Sequence, residues 1–187
     1  MGSQYYLVAS LPRLVLGQRP PFDEDRFLSL CEGVLSPSEQ EDVGLALAGL
    51  GEDSTTLGHH PFLHGWRRSM IQMRNALACS RAHGKHVDAA TCTLEHTGYS
   101  GYIQNVAAHA VDAENPRDAE MELDLARWKM VEELLPQDPF DFAVVLAFAV
   151  RLRLAWRWAR MDETVGRKNV EDMVAARSAV SWSAPSS

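Results

Sequence analysis

Apolar residues recur along this chain at spacings of three and four, the period of a helix with one buried face. Leu63, Trp66, Met70, Met73 and Leu77 draw one such stripe, and Arg67, Arg74 and Arg81 fall seven apart on another face of the same segment. Proline is tolerated in a first helical turn and glycine is a natural stop, so Pro61 and Gly84 bound a long amphipathic helix over 61–83. A second stripe, Met121, Leu125, Trp128, Val131 and Leu135, predicts a helix over 116–135 with Glu120 and Asp124 on another face, closed by Pro136 and Pro139. Residues 140–160 are apolar almost all round the helical wheel apart from a narrow basic stripe of Arg153, Arg157 and Arg160. That is the pattern of a central, mostly buried helix, and Trp128, Phe148, Leu152 and Trp156 are expected in the core.

Shorter signals fill the rest. Asp23 can cap a helix carrying Phe27, Leu28 and Cys31, and Ser36-Pro37 followed by Glu39 starts another that ends near Gly49-Leu50-Gly51. Residues 51–60 read as loop, and 85–114 as shorter helical stretches broken near Gly98 to Gly101. Asp162 can cap a last helix over 162–177. At the other end, Tyr5 to Ser10 favours an extended conformation and is ended by Pro12, with the Pro20-Pro21 pair beyond. The expected fold is therefore all-α: an irregular multi-helix domain over 1–178 with a short extended N-terminal segment, and a flexible C-terminal tail over 179–187.

Composition narrows the function classes. With 187 residues, 46% of them hydrophobic, the chain can bury one good core. A formal charge of −7 and a pI near 5.5 deny it the overall positive field on which nucleic-acid binding draws. Cys31, Cys79 and Cys92 are widely spaced with no CxxC, as in a reducing compartment. The first residues lack the basic and apolar regions of a secretory signal, so a cytoplasmic location is expected. The most apolar run, Phe142 to Val150, is far short of the ~20 residues of a membrane-spanning helix. Association with a membrane must then come through a partner.

The sequence offers little catalytic chemistry. His60 and His64, four apart, can present two imidazoles on one helical face with His59 beside them, but two ligands do not complete a metal site. The nearest acids in sequence, Glu52 and Asp53, lie in the preceding loop, and polar surface histidines near a helix start are the blander reading. Cys92 and His96, also four apart, lack a local third group or oxyanion hole. No Glu-x-x-His pair, P-loop, GxGxxG or GxSxG occurs. Neither catalytic residues, nor a metal set, nor a cofactor site is assigned. The alternation Arg153 to Arg160 around Trp156 and Trp158 reads as a core helix whose guanidiniums pair with acids in the 118–124 stretch.

Three stretches carry a family likeness: Tyr5-Tyr-Leu-Val-Ala-Ser-Leu-Pro12 with Pro20-Pro-Phe22; Arg127-Trp-Lys129 to Phe140; and Leu152-Arg-Leu-Ala-Trp-Arg-Trp158 with Met161-Asp162 and Gly166-Arg167. Together they resemble a bacterial family of unknown function whose members are typically encoded among the subunits of V-type ATP synthases. The resemblance implies a non-catalytic subunit of that rotary machine, with its other subunits as partners. A second stretch, Asn75 to Arg81 ending at Gly84, is similar to a helix of the V-type C subunit, the all-helical socket between central stalk and rotor ring. The chain is shorter than that subunit and has no threefold repeat, so a peripheral or assembly role stays open beside the socket role. Contact surfaces favour arginine, which makes Arg67, Arg68, Arg74 and Arg81 the candidate interface, against intramolecular pairing with the excess of carboxylates. The alternative function is a small helical metal- or ligand-binding enzyme using His59, His60 and His64.

Overall fold

A computed structural model describes residues 2–49, 58–85, 88 and 93–161. It has seven α-helices in these residues: α1 (Gly2–Ser10), α2 (Glu24–Cys31), α3 (Pro37–Ala48), α4 (Pro61–Lys85), α5 (Gly101–Asp112), α6 (Pro116–Glu133) and α7 (Phe142–Arg160). No strand occurs among the described residues, and the all-α expectation holds. The helix expected over 162–177, the tail over 179–187, the acids Glu52 and Asp53, and Cys92 lie outside the described residues.

The helix starts have chemical causes, because the first N–H groups of a helix have no partner within it and a short polar side chain can accept from them. The Asp23 carboxylate accepts from Arg26 N at 2.9 Å. Ser36 and Glu39 form a reciprocal capping box with Pro37 in the first turn. Ser100, Asn115 and Asp141 cap α5, α6 and α7. At the end of α3, Gly49 takes φ +76°, and a Cβ there would lie 1.5 Å from Arg153 Nη1. Glycine is thus needed twice over, for the backbone turn and for the approach of that guanidinium.

The core is built around α7, of whose nineteen residues twelve are buried. It packs on α1, α3, α4 and α6. Val145, Leu146, Val150 and Leu152 have no exposed surface, and burial of each such side chain stabilises by roughly 1.5–3 kcal/mol. Across the molecule α4 packs on α5, and α5 on α6. The stretch between α4 and α5 is fastened to α4 by side chains. Asn75 both donates to Leu94 O (2.7 Å) and accepts from Leu94 N (2.9 Å), and Gln72 Nε2 donates to Thr97 O.

Three expectations need correction. Tyr5 to Ser10 is helical rather than extended: it is the body of α1, with Leu7 buried and Val8 packed on the same core. Burial of one face overrides the β preference of Tyr and Val, and helix formation ends before Pro12. In α6 the buried face is Leu123, Asp124, Ala126, Met130 and Val131, while Leu125 is 53% exposed. The helix is turned so that Asp124, expected on a face apart from the apolar stripe, lies on the buried face. In α7 it is Trp158 that is buried, whereas Trp156 is partly exposed, its Nε1 donating to Phe22 O at 2.9 Å. Trp128 is likewise only partly buried, and Phe148 and Leu152 are core as expected.

Candidate functional site

The inward turn of α6 is explained by what Asp124 meets. Its side chain has no exposed surface and accepts from Arg157 Nη1 at 2.9 Å, from Trp158 Nε1 at 2.8 Å, and from Arg127 Nη1 one turn along. Arg157 spans two carboxylates, its Nη2 lying 2.5 Å from Glu120 Oε2. Burial pulls the Arg157 pKa down, but the hydrogen bond to Glu120 and the charges of Asp124 and Glu120 outweigh it, and the net shift is upward. Beside this node Arg153 is held below its ordinary value by burial and by the nearby positive Arg127. The pairing anticipated between the arginines of α7 and the 118–124 acids is made by Arg157, while Arg160 lies 3.8 Å from Glu24 of α2 instead; the Arg157 geometry is that of a lock between two helices. With three donors on a carboxylate that has no exposed surface, most of its acceptor capacity is spent inside the protein.

The predicted arginine stripe lies on α4. This helix carries Arg67, Arg68, Arg74, Arg81 and Lys85 and not one acid, in a chain of net charge −7. The structure divides the stripe between two surface grooves. Arg67 and Arg68 line one with Pro61, His64 and Ile71. Arg74 and Arg81 line the other, about 330 Å³, over a floor of Met70, Met73, Leu77 and Ala78. Arg127 of α6 joins this second groove and was not anticipated there; its i, i+3 relation to Asp124 was the available signal. Arg68 and Arg81 are exposed, while Arg67 and Arg74 are partly buried and engaged in contacts. A guanidinium rim over a methionine and leucine floor provides hydrogen bonds and buried apolar area at once, as protein contact surfaces do.

The histidines are placed by Asp42, a buried residue of α3 that sequence reasoning did not single out. Its carboxylate accepts from His59 N (2.7 Å) and His60 N (3.0 Å) and lies 3.3 Å from His59 Nδ1. His60 Nδ1 accepts from Phe62 N, and His64 Nε2 is 3.1 Å from Gly58 O. The His60 and His64 rings thus contact the backbone that leads into α4, and the His59 ring faces Asp42 of α3. Among the described residues no three His, Cys, Asp or Glu side chains are grouped to hold a metal ion.

Fold and surface together define an all-helical protein with an ionic lock inside and basic, partly apolar grooves outside; no described helix is long and apolar enough to cross a membrane. Residues 101–177 match the model of a family described as a protein of unknown function, DUF2764. The match takes in α5, α6 and α7, hence the whole Asp124 node, and leaves α4 outside. Neither the curated proteins nor the solved structures contain a match.

Proposed function

We propose that this chain is a non-catalytic, cytoplasmic component of a V-type ATP synthase, an accessory or stalk part that couples or assembles the rotary complex by contact. The observation that carries the reading is α4: 25 residues, five cations and no anion, with two arginine-rimmed grooves, in an otherwise acidic chain. Such a local field attracts an acidic partner surface while the negative remainder disfavours nucleic acid. The family resemblance of the opening segment and of the C-terminal third supports the choice of machine. The node supports a mechanical role, because a helix pair joined by directional bonds to a buried carboxylate resists sliding better than one held by apolar contact alone.

Affinity-tagged chain, purified from cells in which it is native, is expected to bring down the catalytic and stalk subunits and to hydrolyse no ATP alone. Arg68→Glu with Arg81→Glu should abolish this recovery with the melting temperature nearly unchanged, since both side chains are exposed. Full recovery with the double variant would remove α4 from the interface.

A further inference from the structure

A pocket of about 310 Å³ lies between the Val8–Leu14 stretch, α6 and α7. Apolar side chains on its walls include Leu11, Leu135, Val144 and Phe148, and the charged groups Arg13, Glu132 and Arg151 give it a strongly polar side. The size suits a small molecule that is itself amphipathic, with a charged end for the polar side and an apolar body for the rest. None of these groups belongs to the α4 grooves or to the Asp124 node.

Arg151 is the residue that gives the pocket a chemistry. It sits within the hydrophobic helix α7, with Nε and Nη2 shielded from water and no acceptor on Nε. Glu132 Oε1, 2.9 Å from Nη2, is its ion-pair partner. The Trp128 ring covers one face of the guanidinium, 5.1 Å from Cζ. Burial lowers the Arg151 pKa despite the opposing charge of Glu132, yet an arginine remains charged. The group is a partly buried cation stacked on an aromatic ring, with Nε lacking an acceptor and Nη2 turned to Glu132. A planar carboxylate fits such donors with two parallel bonds. The Glu132 side chain is 60% exposed, so it can leave for solvent at small cost and uncover the guanidinium.

We propose that this pocket binds a small carboxylate with an apolar or aromatic body, its carboxylate taking the place of Glu132 on Arg151. Glu132 then acts as a displaceable counter-ion that holds the site shut when it is empty. The apolar walls take the body of the ligand, and Arg13 adds a second positive charge.

Isothermal titration of the full chain with 3-phenylpropanoate and with octanoate, each against its neutral amide, tests this. The acids are expected to saturate at about 0.1–1 mM, the range that ligands of this size reach, and to bind at least ~10-fold more tightly than the amides. Glu132→Gln removes the competing charge and should tighten the acids by roughly 3- to 10-fold, whereas a purely structural ion pair would give no gain. Arg151→Lys should weaken them by ~10-fold or more. Because that variant touches a buried group, Val144→Phe, which fills the pocket and keeps the ion pair, is the second arm and should abolish binding with helical content intact. No saturation by either acid up to ~10 mM, equal binding of the amides, or weaker binding by Glu132→Gln would overturn the proposal.

Discussion

Replacing Asp124 by Ala would separate a lock from an ornament. The substitution leaves the Trp158 N–H buried and removes the counter-charge facing Arg127 and Arg157, whose side chains are 20% and 37% exposed. Removing one partner of a buried ion pair costs about 3–5 kcal/mol. Since Arg157 is more than a third exposed and keeps Glu120, solvent screens part of that loss, and the lower end, about 3 kcal/mol, is expected. Asp124→Asn keeps the shape and one acceptor but not the charge, and should lose roughly half as much. Against a total stability of about 5–15 kcal/mol, the Ala variant should show a plainly lower urea midpoint with an unchanged slope. A loss under about 1 kcal/mol, or equal losses for Ala and Asn, would refute the reasoning. The first result would mean the arginines find water instead, and the second that the charge carries the whole loss and the retained shape and acceptor contribute nothing.

Four further outcomes follow from the packing. Trp158→Ala should cost about 3–5 kcal/mol as a buried large-to-small change, and Trp156→Ala roughly 2 kcal/mol because its ring is already partly in water, both read from urea unfolding. Gly58 has φ +73°, and a Cβ there would approach Leu63 Cδ1 to 2.4 Å and Asp42 Oδ1 to 2.8 Å; Gly58→Ala should therefore destabilise by about 2–3 kcal/mol by calorimetry. Burial pushes the Cys31 thiol up to about 11 from 9.0, so its contribution to stability is full below pH 9 and is lost as pH rises through 11. The stability difference between wild type and Cys31→Ala should accordingly shrink by about 2 kcal/mol between pH 7.5 and 10.5. At pH 8, peptide-mapped alkylation should label exposed Cys79 well before Cys31.

What the sequence made legible follows from where each signal is stored. Caps are local, so Asp23, Ser36 with Glu39, and Pro61 can be read from a few neighbouring residues, and the structure has helices starting at or just after them. The period of α7 is strong because nearly its whole circumference is buried. The orientation of α6 is a different kind of information. Its apolar stripe and its acid face compete for the interior, and the outcome depends on Arg157 and Trp158, more than thirty residues away. The same holds for Asp42, which serves the turn before α4 across seventeen residues. On α4 the arginines were visible as a stripe, but their division between two grooves depends on Arg127 and on the helix surface, which spacing alone does not encode. Asn75, part of the stretch similar to a helix of the V-type C subunit, holds the Leu94 backbone in place.

A photo-crosslinking amino acid at position 81, on the exposed end of the α4 groove, asks most directly whether this surface meets the rotary machine. Position 25, exposed on α2, serves as the control. In native cells, illumination is expected to join the chain through position 81, and not through position 25, to a V-type ATP synthase subunit identified by mass spectrometry. Crosslinks to no rotary subunit, or the same subunit captured equally from both positions, would contradict it.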